Sequence, residues 1–260
     1  MLKNRFKRMG KPNRRYGFVV WVTRQGLLRL AALLGLTALT VVVLSSEIPA
    51  ARTWSFWSLP LSGKVIALDA GHGGADGGAV SRDGVIEKDI NLAIALYLRD
   101  YLQQAGALVV LTREGDYDLA GSEVKGYSRR KTEDLQRRVQ TIKEKHADLA
   151  LSIHLNSIPS PAWSGAQTFF NPALPESERL AAVLQREIRE TLANTNRTPL
   201  KNESVYLLKA LDMPSALVEV GFLSHPDESK LLADEDYQKK VAAALYRGIL
   251  RYASGETGKR

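Results

Sequence analysis

The chain has no cysteine among its 260 residues. Disulfide bonds are therefore excluded, even if the protein is exported to an oxidising compartment. Thiolate metal ligands are excluded too, so any bound metal ion must be held by nitrogen and oxygen atoms. The folded part must depend on a hydrophobic core, and the length is sufficient for one domain of about 200 residues with extra segments.

Acidic residues are absent from the first 29 residues, which carry nine basic side chains. The remaining 231 residues hold 27 basic and 28 acidic side chains, so the formal net charge of +8 belongs to the amino-terminal tail. A basic surface for nucleic acid on the folded part is therefore excluded. We expect no nucleic-acid partner.

An apolar run without charged residues, from Leu30 to Ser46, follows the basic tail. Counted from Gly26, it reaches the ~20 residues that a bilayer requires. Because the basic flank precedes it, we expect residues 1–24 in the cytoplasm, 25–46 as a membrane anchor and the rest outside. A cleaved signal peptide is the alternative, but small residues spaced for cleavage are matched only loosely near 43–51.

The exported part begins with a linker, 47–62, in which Trp54 and Trp57 suit the outer membrane interface. From residue 63 to 254, apolar strand-like runs alternate with amphipathic helices, and 255–260 form a tail. Strands are predicted at 64–69, 107–112, 148–155, 165–170, 204–208 and 215–220, and helices at 89–105, 132–146, 176–194 and 236–252. This alternation predicts one α/β domain, with a largely parallel mixed sheet of about six strands flanked by helices.

Two histidines lie at strand ends. His72 follows the run Val65–Ala70 in a glycine-rich segment, which leaves an imidazole uncovered. His154 shares one side of its strand with Ser152 and Asn156, because alternate residues face the same side. Taken alone, His72 could be an incidental turn histidine and His154 a hydrogen-bonded core histidine. Because both are expected at the carboxyl ends of strands in an α/β sheet, we predict that they are metal ligands. His146 and His225 are expected at the surface.

Two glutamates complete the candidate site. Glu219 lies within the apolar run Ala216–Phe222, where a carboxylate is costly unless it is paired, neutralised or close to a metal. Burial also raises a carboxyl pKa, which suits a general base. The role of Glu87 stays undecided at this point: it is either a metal ligand or a negative charge that stabilises the start of the helix after it. Two imidazoles, one carboxylate ligand and a free carboxylate base are the requirements of a hydrolytic zinc site.

Three motifs carry a resemblance: Leu68-Asp-Ala-Gly-His-Gly-Gly74, Ser152-Ile-His-Leu-Asn156 and Leu217-Val-Glu-Val-Gly-Phe-Leu-Ser224. With Glu87 between the first two, they resemble the type-3 zinc-dependent N-acetylmuramoyl-L-alanine amidases across about 63–253. Ala70 stands where that family usually has proline. The resemblance implies one Zn²⁺ per chain, with His72, Glu87 and His154 as ligands and Glu219 as the catalytic residue.

The segments Lys125–Lys131 and Ser157–Thr168 are similar to a subgroup, the germination-specific amidases of endospore formers. That resemblance implies removal of stem peptides from spore-cortex glycan, outside the cytoplasm, before a muramic-acid deacetylase acts towards muramic δ-lactam. Two rival functions stay open at this point. A zinc carboxypeptidase would release terminal D-alanine from stem peptides, and a non-catalytic wall-binding module would need neither metal nor Glu219.

Overall fold

The computed structural model describes residues 23–45 and 59–257. The first described part, 23–45, consists almost entirely of the helix α1 (Arg24–Ser45). Its first 19 residues, Arg24–Val42, are apolar enough, and the helix long enough, to cross a membrane. The predicted basic tail up to residue 22 lies outside the described residues, as do Trp54 and Trp57 of the linker.

Six strands and six helices make up the second described part, 59–257. The strands are β1 (Val65–Ala70), β2 (Leu108–Leu111), β3 (Leu149–Asn156), β4 (Gln167–Phe170), β5 (Leu200–Lys201) and β6 (Ser215–Phe222). The helices are α2 (Glu87–Gln104), α3 (Tyr127–Glu144), α4 (Pro175–Leu192), α5 (Tyr206–Ala210), α6 (Pro226–Ala233) and α7 (Glu235–Ala253).

The strands form one sheet in the order β2-β1-β3-β6-β4-β5. β2, β1, β3 and β6 are mutually parallel, while β4 runs antiparallel to β6 and parallel to β5. The carboxyl ends of β1, β3 and β6 therefore lie together at one end of the strands, which we call the carboxyl end of the sheet. The predicted fold class, a largely parallel six-stranded sheet in one α/β domain, is confirmed.

Helices cover both faces of the sheet because successive strand residues point to opposite sides. The larger core joins α2, α4 and α7 to one face, with Ile94, Leu184 and Leu245 fully buried. The smaller core joins α3 and α5 to the other face through Ile142 and Leu208. This two-sided burial explains why the central strands read as continuous apolar runs rather than alternating ones.

The helix boundaries follow local signals. Glu87 and Asp89 place negative charge in the first turn of α2, where the helix dipole favours it. Asp234 accepts a hydrogen bond from the Tyr237 amide and caps the start of α7. His225 caps α6 in the same way, through its Nδ1 and the Glu228 amide.

Two expectations about elements are wrong. Residues 204–208 do not form a strand: α5 begins at Tyr206, and the edge strand is the short β5, which lies between the predicted helix 176–194 and the predicted strand 204–208. A short apolar run cannot by itself distinguish a strand from a buried helical turn, and Leu207 and Leu208 fill the smaller core from a helix. Helix α3 starts at Tyr127, five residues before the predicted start. Its first turn is polar and largely exposed, so no apolar periodicity marks this part of the helix in the sequence.

Candidate metal centre

The loop after β1 presents His72 at the carboxyl end of the sheet. Its backbone is left-handed (φ 64°), a conformation that costs a non-glycine residue free energy unless its surroundings enforce it. Gly71 lies flat against the ring of His154, since a Cβ at this position would come within 2.3 Å of that ring. The glycine before His72 therefore lets two imidazoles from neighbouring strands meet.

The structure brings His72, Glu87 and His154 together. Glu87 Oε1 is 3.2 Å from His72 Nε2 and 3.1 Å from His154 Nδ1. One donor atom from each residue lies within 4.8 Å of the other two, and in the described part of the chain this is the one such cluster. Two nitrogens and one oxygen converging on a point are the donor set of a catalytic zinc site with an open fourth position.

Glu87 is held firmly at the start of α2, where it is 3% exposed. Its Oε2 accepts a hydrogen bond from the Ala79 amide at 2.8 Å, and its Oε1 accepts one from the Leu155 amide at 3.0 Å. A Cβ on Gly78 would stand 2.6 Å from Oε2 and 2.7 Å from the ring of His72. The glycine-rich segment is thus shaped around two of the three donors.

The charges around the cluster suit a cation. Burial alone would raise the pKa of Glu87, but hydrogen bonding with His154 and His72 outweighs it and holds the pKa well below the usual range. Burial lowers the pKa of His72, but its contacts with Asp76 and Glu87 outweigh this effect and raise the pKa to about 9. A proton on His72 therefore occupies a site that a metal ion would fill with displacement of that proton.

Glu219 faces the cluster from β6, where it pairs in register with His154 of β3. The side chain is half-buried, but its Oε2 is fully buried and has no hydrogen-bond partner among the described residues. Burial raises the pKa of Glu219 to about 7, although the nearby His154 opposes the shift. A half-buried carboxyl whose buried oxygen has no partner, beside three metal-type donors, has the properties required of a base near neutral pH.

Two fully buried arginines behind His72 escaped the sequence analysis. Arg138 donates hydrogen bonds to the carbonyls of Ala70 and His72 at 2.7 and 2.6 Å, and its charge is balanced by Asp69 and Asp134. The sequence spacing does indicate that Arg138 is buried. Asp134, Arg138 and Ile142 recur every four residues, so the ion pair between Asp134 and Arg138 lies on the buried face of α3.

Arg113 follows β2 in a segment that reads as a polar loop. Its guanidinium donates to four carbonyls, those of Ala70, Gly71, Lys88 and Gly115. It thereby ties the backbone before His72 to the residue after Glu87. No sequence pattern marks this residue, because its partners are backbone atoms.

Asp76 supports the outer side of His72. Its Oδ2 lies 3.0 Å from His72 Nδ1 and 3.0 Å from the ammonium of Lys131, while its Oδ1 accepts a hydrogen bond from the Tyr127 hydroxyl at 2.9 Å. The other two histidines stand apart from the cluster. His146 is exposed after α3, and His225 caps α6.

The chain is similar to known proteins in both sequence and fold. The sequence model of the N-acetylmuramoyl-L-alanine amidase family matches residues 66–251. The germination-specific N-acetylmuramoyl-L-alanine amidase of Bacillus subtilis (strain 168) is 54% identical over 200 residues, which cover 77% of this chain and 84% of that protein.

Two solved structures share the fold. The CwlD amidase from Clostridioides difficile, solved in complex with the GerS lipoprotein, superposes with a TM-score of 0.73 at 43% identity and covers 74% of this chain and 100% of its own. The amidase AmiC2 of Nostoc punctiforme superposes with a TM-score of 0.64 at 32% identity and covers 76% and 99%.

Proposed function

The chain belongs to the N-acetylmuramoyl-L-alanine amidase family, and we propose that it cuts the bond between muramic acid and L-alanine with one zinc ion held by His72, Glu87 and His154. The observation that carries the proposal is the convergence of these three donors beside the unpartnered Glu219 Oε2. The reaction itself, hydrolysis in peptidoglycan, follows from the family.

A zinc ion held by His72, Glu87 and His154 would supply a Lewis acid, which lowers the pKa of water towards about 7 and polarises the scissile carbonyl. Glu219 takes the proton from the attacking water and returns it to the amine of L-alanine as the bond breaks. Glu87 and the two imidazoles supply one negative charge and two neutral donors, so His72 must lose its proton before the ion enters. Arg113, Arg138 and Asp76 hold the His72 loop in place during both steps.

The test of this reaction is the nature of its products. Glycan strands with intact stem peptides are digested with the purified chain and zinc, and the soluble products are analysed by mass spectrometry. Free stem peptides with an unmodified L-alanine amine indicate the amidase. Release of single D-alanine residues from peptides still attached to glycan would instead indicate the rival carboxypeptidase.

We extend the proposal to the spore cortex. Support comes from the 54% identity to the germination-specific amidase of Bacillus subtilis. In this role the chain removes stem peptides from cortex glycan, and a muramic-acid deacetylase then acts on the exposed muramic acid towards the δ-lactam. The complex of the Clostridioides difficile relative with a lipoprotein supports a protein partner for this chain as well.

The rate should depend on the protonation of Glu219. A base works only when deprotonated, and burial raises the pKa of Glu219 to about 7, while a bound dication acts in the opposite direction. We therefore expect kcat to be highest above pH 7 and to fall about tenfold per pH unit on the acidic side of the Glu219 pKa. The measurement is kcat against pH, with bound zinc quantified at each point so that metal loss is separated from protonation of the base. A kcat that stays constant down to pH 4 with zinc still bound would exclude Glu219 as the base.

For the location we propose that α1 is an uncleaved anchor. The boundaries are those of the sequence analysis: cytoplasmic tail 1–24, anchor 25–46, linker 47–62, catalytic domain 63–254 and tail 255–260. We expect protein from the membrane fraction to retain its original amino terminus, because the residues near 43–51 match a signal-peptide cleavage site only loosely. A mature terminus near residues 46–52, found by terminal sequencing, would instead make the protein a secreted enzyme.

A further inference from the structure

Two segments, Lys125–Lys131 and Ser157–Thr168, supply neither a proposed metal ligand nor the proposed base. Each of them presents an exposed aromatic ring. Tyr127 is 56% exposed and Trp163 is 53% exposed. In the described range 59–257, the exposed tyrosines and tryptophans are Tyr117, Tyr127, Trp163 and Tyr206. The first three lie at the carboxyl end of the sheet. Tyr206 begins α5 at the opposite end, before the start of β6.

Tyr127 stands on the β1 side of the metal site. Its hydroxyl donates to Asp76 Oδ1 at 2.9 Å, and the other oxygen of Asp76 lies 3.0 Å from His72 Nδ1. The ammonium of Lys131 is 5.8 Å from the centre of the ring. The ring is therefore fixed at its polar end, two contacts from a proposed zinc ligand, and about half of its surface stays open.

Trp163 stands on the β6 side, in the loop between β3 and β4. The guanidinium of Arg197 lies 5.9 Å from the centre of its ring and 5.3 Å from that of Phe222, the last residue of β6. The same guanidinium donates to the carbonyls of Ser164 and Gly165 at 2.7 and 2.5 Å. These contacts anchor the loop three residues beyond Glu219 along β6.

The two rings thus flank the metal site. The Tyr127 hydroxyl is hydrogen-bonded to the loop after β1, and Trp163 lies in the loop before β4. These two strands lie three strand spacings of about 4.8 Å apart, roughly 14 Å, and a site that spans several strands fits an extended ligand better than a compact one. A protein interface would form one contiguous apolar patch. These two rings are instead separated from each other by the metal site. A ring that is already fixed also loses little conformational freedom when a ligand binds.

We propose that Tyr127 and Trp163 bind the glycan strand on the two sides of the muramic acid whose stem peptide is removed, with the C–H faces of the sugars stacked on the aromatic rings. This inference rests on the proposed function, because it assumes a polysaccharide substrate. It adds that the enzyme recognises a run of sugars and not the scissile amide alone.

The test compares a long and a short substrate. The full-length chain in detergent is assayed with zinc on long glycan strands and on a single disaccharide with one stem peptide, which is too short to reach both rings. For Trp163→Ala and Tyr127→Ala we expect KM on the long strands to rise about tenfold each, with kcat little changed. On the short substrate KM should match that of the wild type.

Matched variants separate ring stacking from local damage. Tyr127→Phe keeps the ring but gives up the hydrogen bond to Asp76, so its KM on long strands should lie well below that of Tyr127→Ala. Tyr206→Ala removes an exposed ring from the opposite end and should change neither constant. A wild-type KM on long strands in both alanine variants would overturn the inference, as would an equal rise on both substrates.

Binding without catalysis keeps this inference distinct from the proposed function. Glycan strands stripped of stem peptides are sedimented with each zinc-loaded variant, and the bound fraction is measured. We expect Trp163→Ala and Tyr127→Ala to bind about tenfold more weakly than the wild type. Wild-type binding in both variants would overturn the inference even if the enzyme is an active amidase. A wild-type chain that binds glycan but releases no stem peptide would contradict the proposed function alone.

Discussion

Glu219→Gln is expected to retain one zinc ion per chain and to lose turnover by about 10²- to 10⁴-fold. Glutamine has nearly the size of glutamate and keeps an oxygen in the same place, but it cannot take a proton from water. The donor cluster already consists of His72, Glu87 and His154, so metal binding should not need Glu219. The measurement is kcat on glycan with stem peptides, together with bound zinc on the same sample.

The matched control is Glu228→Gln. Glu228 is also a buried glutamate near the end of β6, but it accepts hydrogen bonds from the amides of Gly165 and Phe222 and contacts none of the proposed ligands. Its substitution should affect thermal stability more than turnover. If Glu219→Gln loses zinc while Glu87→Gln retains it, the roles that we assign to the two glutamates are reversed.

His72→Ala and His154→Ala are each expected to lose both zinc and activity. Each removes one of three donors, and zinc affinity should fall by more than about 100-fold, since loss of an outer partner alone costs 10- to 100-fold. The measurement is equilibrium dialysis against zinc, with turnover measured at the same metal concentrations. Retention of stoichiometric, tightly bound zinc by either variant would exclude that histidine as a ligand.

The chain offers two matched histidine controls. His146 is exposed after α3, so His146→Ala should keep the zinc and the turnover of the wild type. His225 caps α6, so His225→Ala should cost about 1 kcal/mol of stability and leave zinc affinity unchanged. Together they separate loss of a ligand from loss of a histidine as such.

The sequence was sufficient to predict the fold class because most elements have strong periodic patterns. Ile90, Ile94, Leu98 and Leu102 recur at helical spacing and are buried on one face of α2. The short elements near the sheet edge were beyond prediction. A run such as Val205–Leu208 is compatible with a strand or a helix, and only packing against the smaller core decides between them.

The site was partly predictable for a different reason. A carboxylate inside an apolar strand is costly, so Glu219 stood out from its position in the apolar run Ala216–Phe222. Glu87 did not, because an acidic residue at a helix start is common without any ligand role. Its position next to both imidazoles depends on the path of the chain between β1 and α2, which only the fold supplies. The role of Arg113 could not be predicted, because it donates to backbone carbonyls and these are present at every residue of any sequence.

The most direct test is a zinc titration of the metal-free full-length chain, with the release of stem peptides followed at each step. The proposed site holds one ion through His72, Glu87 and His154. Activity should therefore rise in proportion to added zinc, reach its plateau at one ion per chain, and yield peptides with a free L-alanine amine. Full activity in the thoroughly metal-free protein, or a plateau only at two ions per chain, would contradict the account.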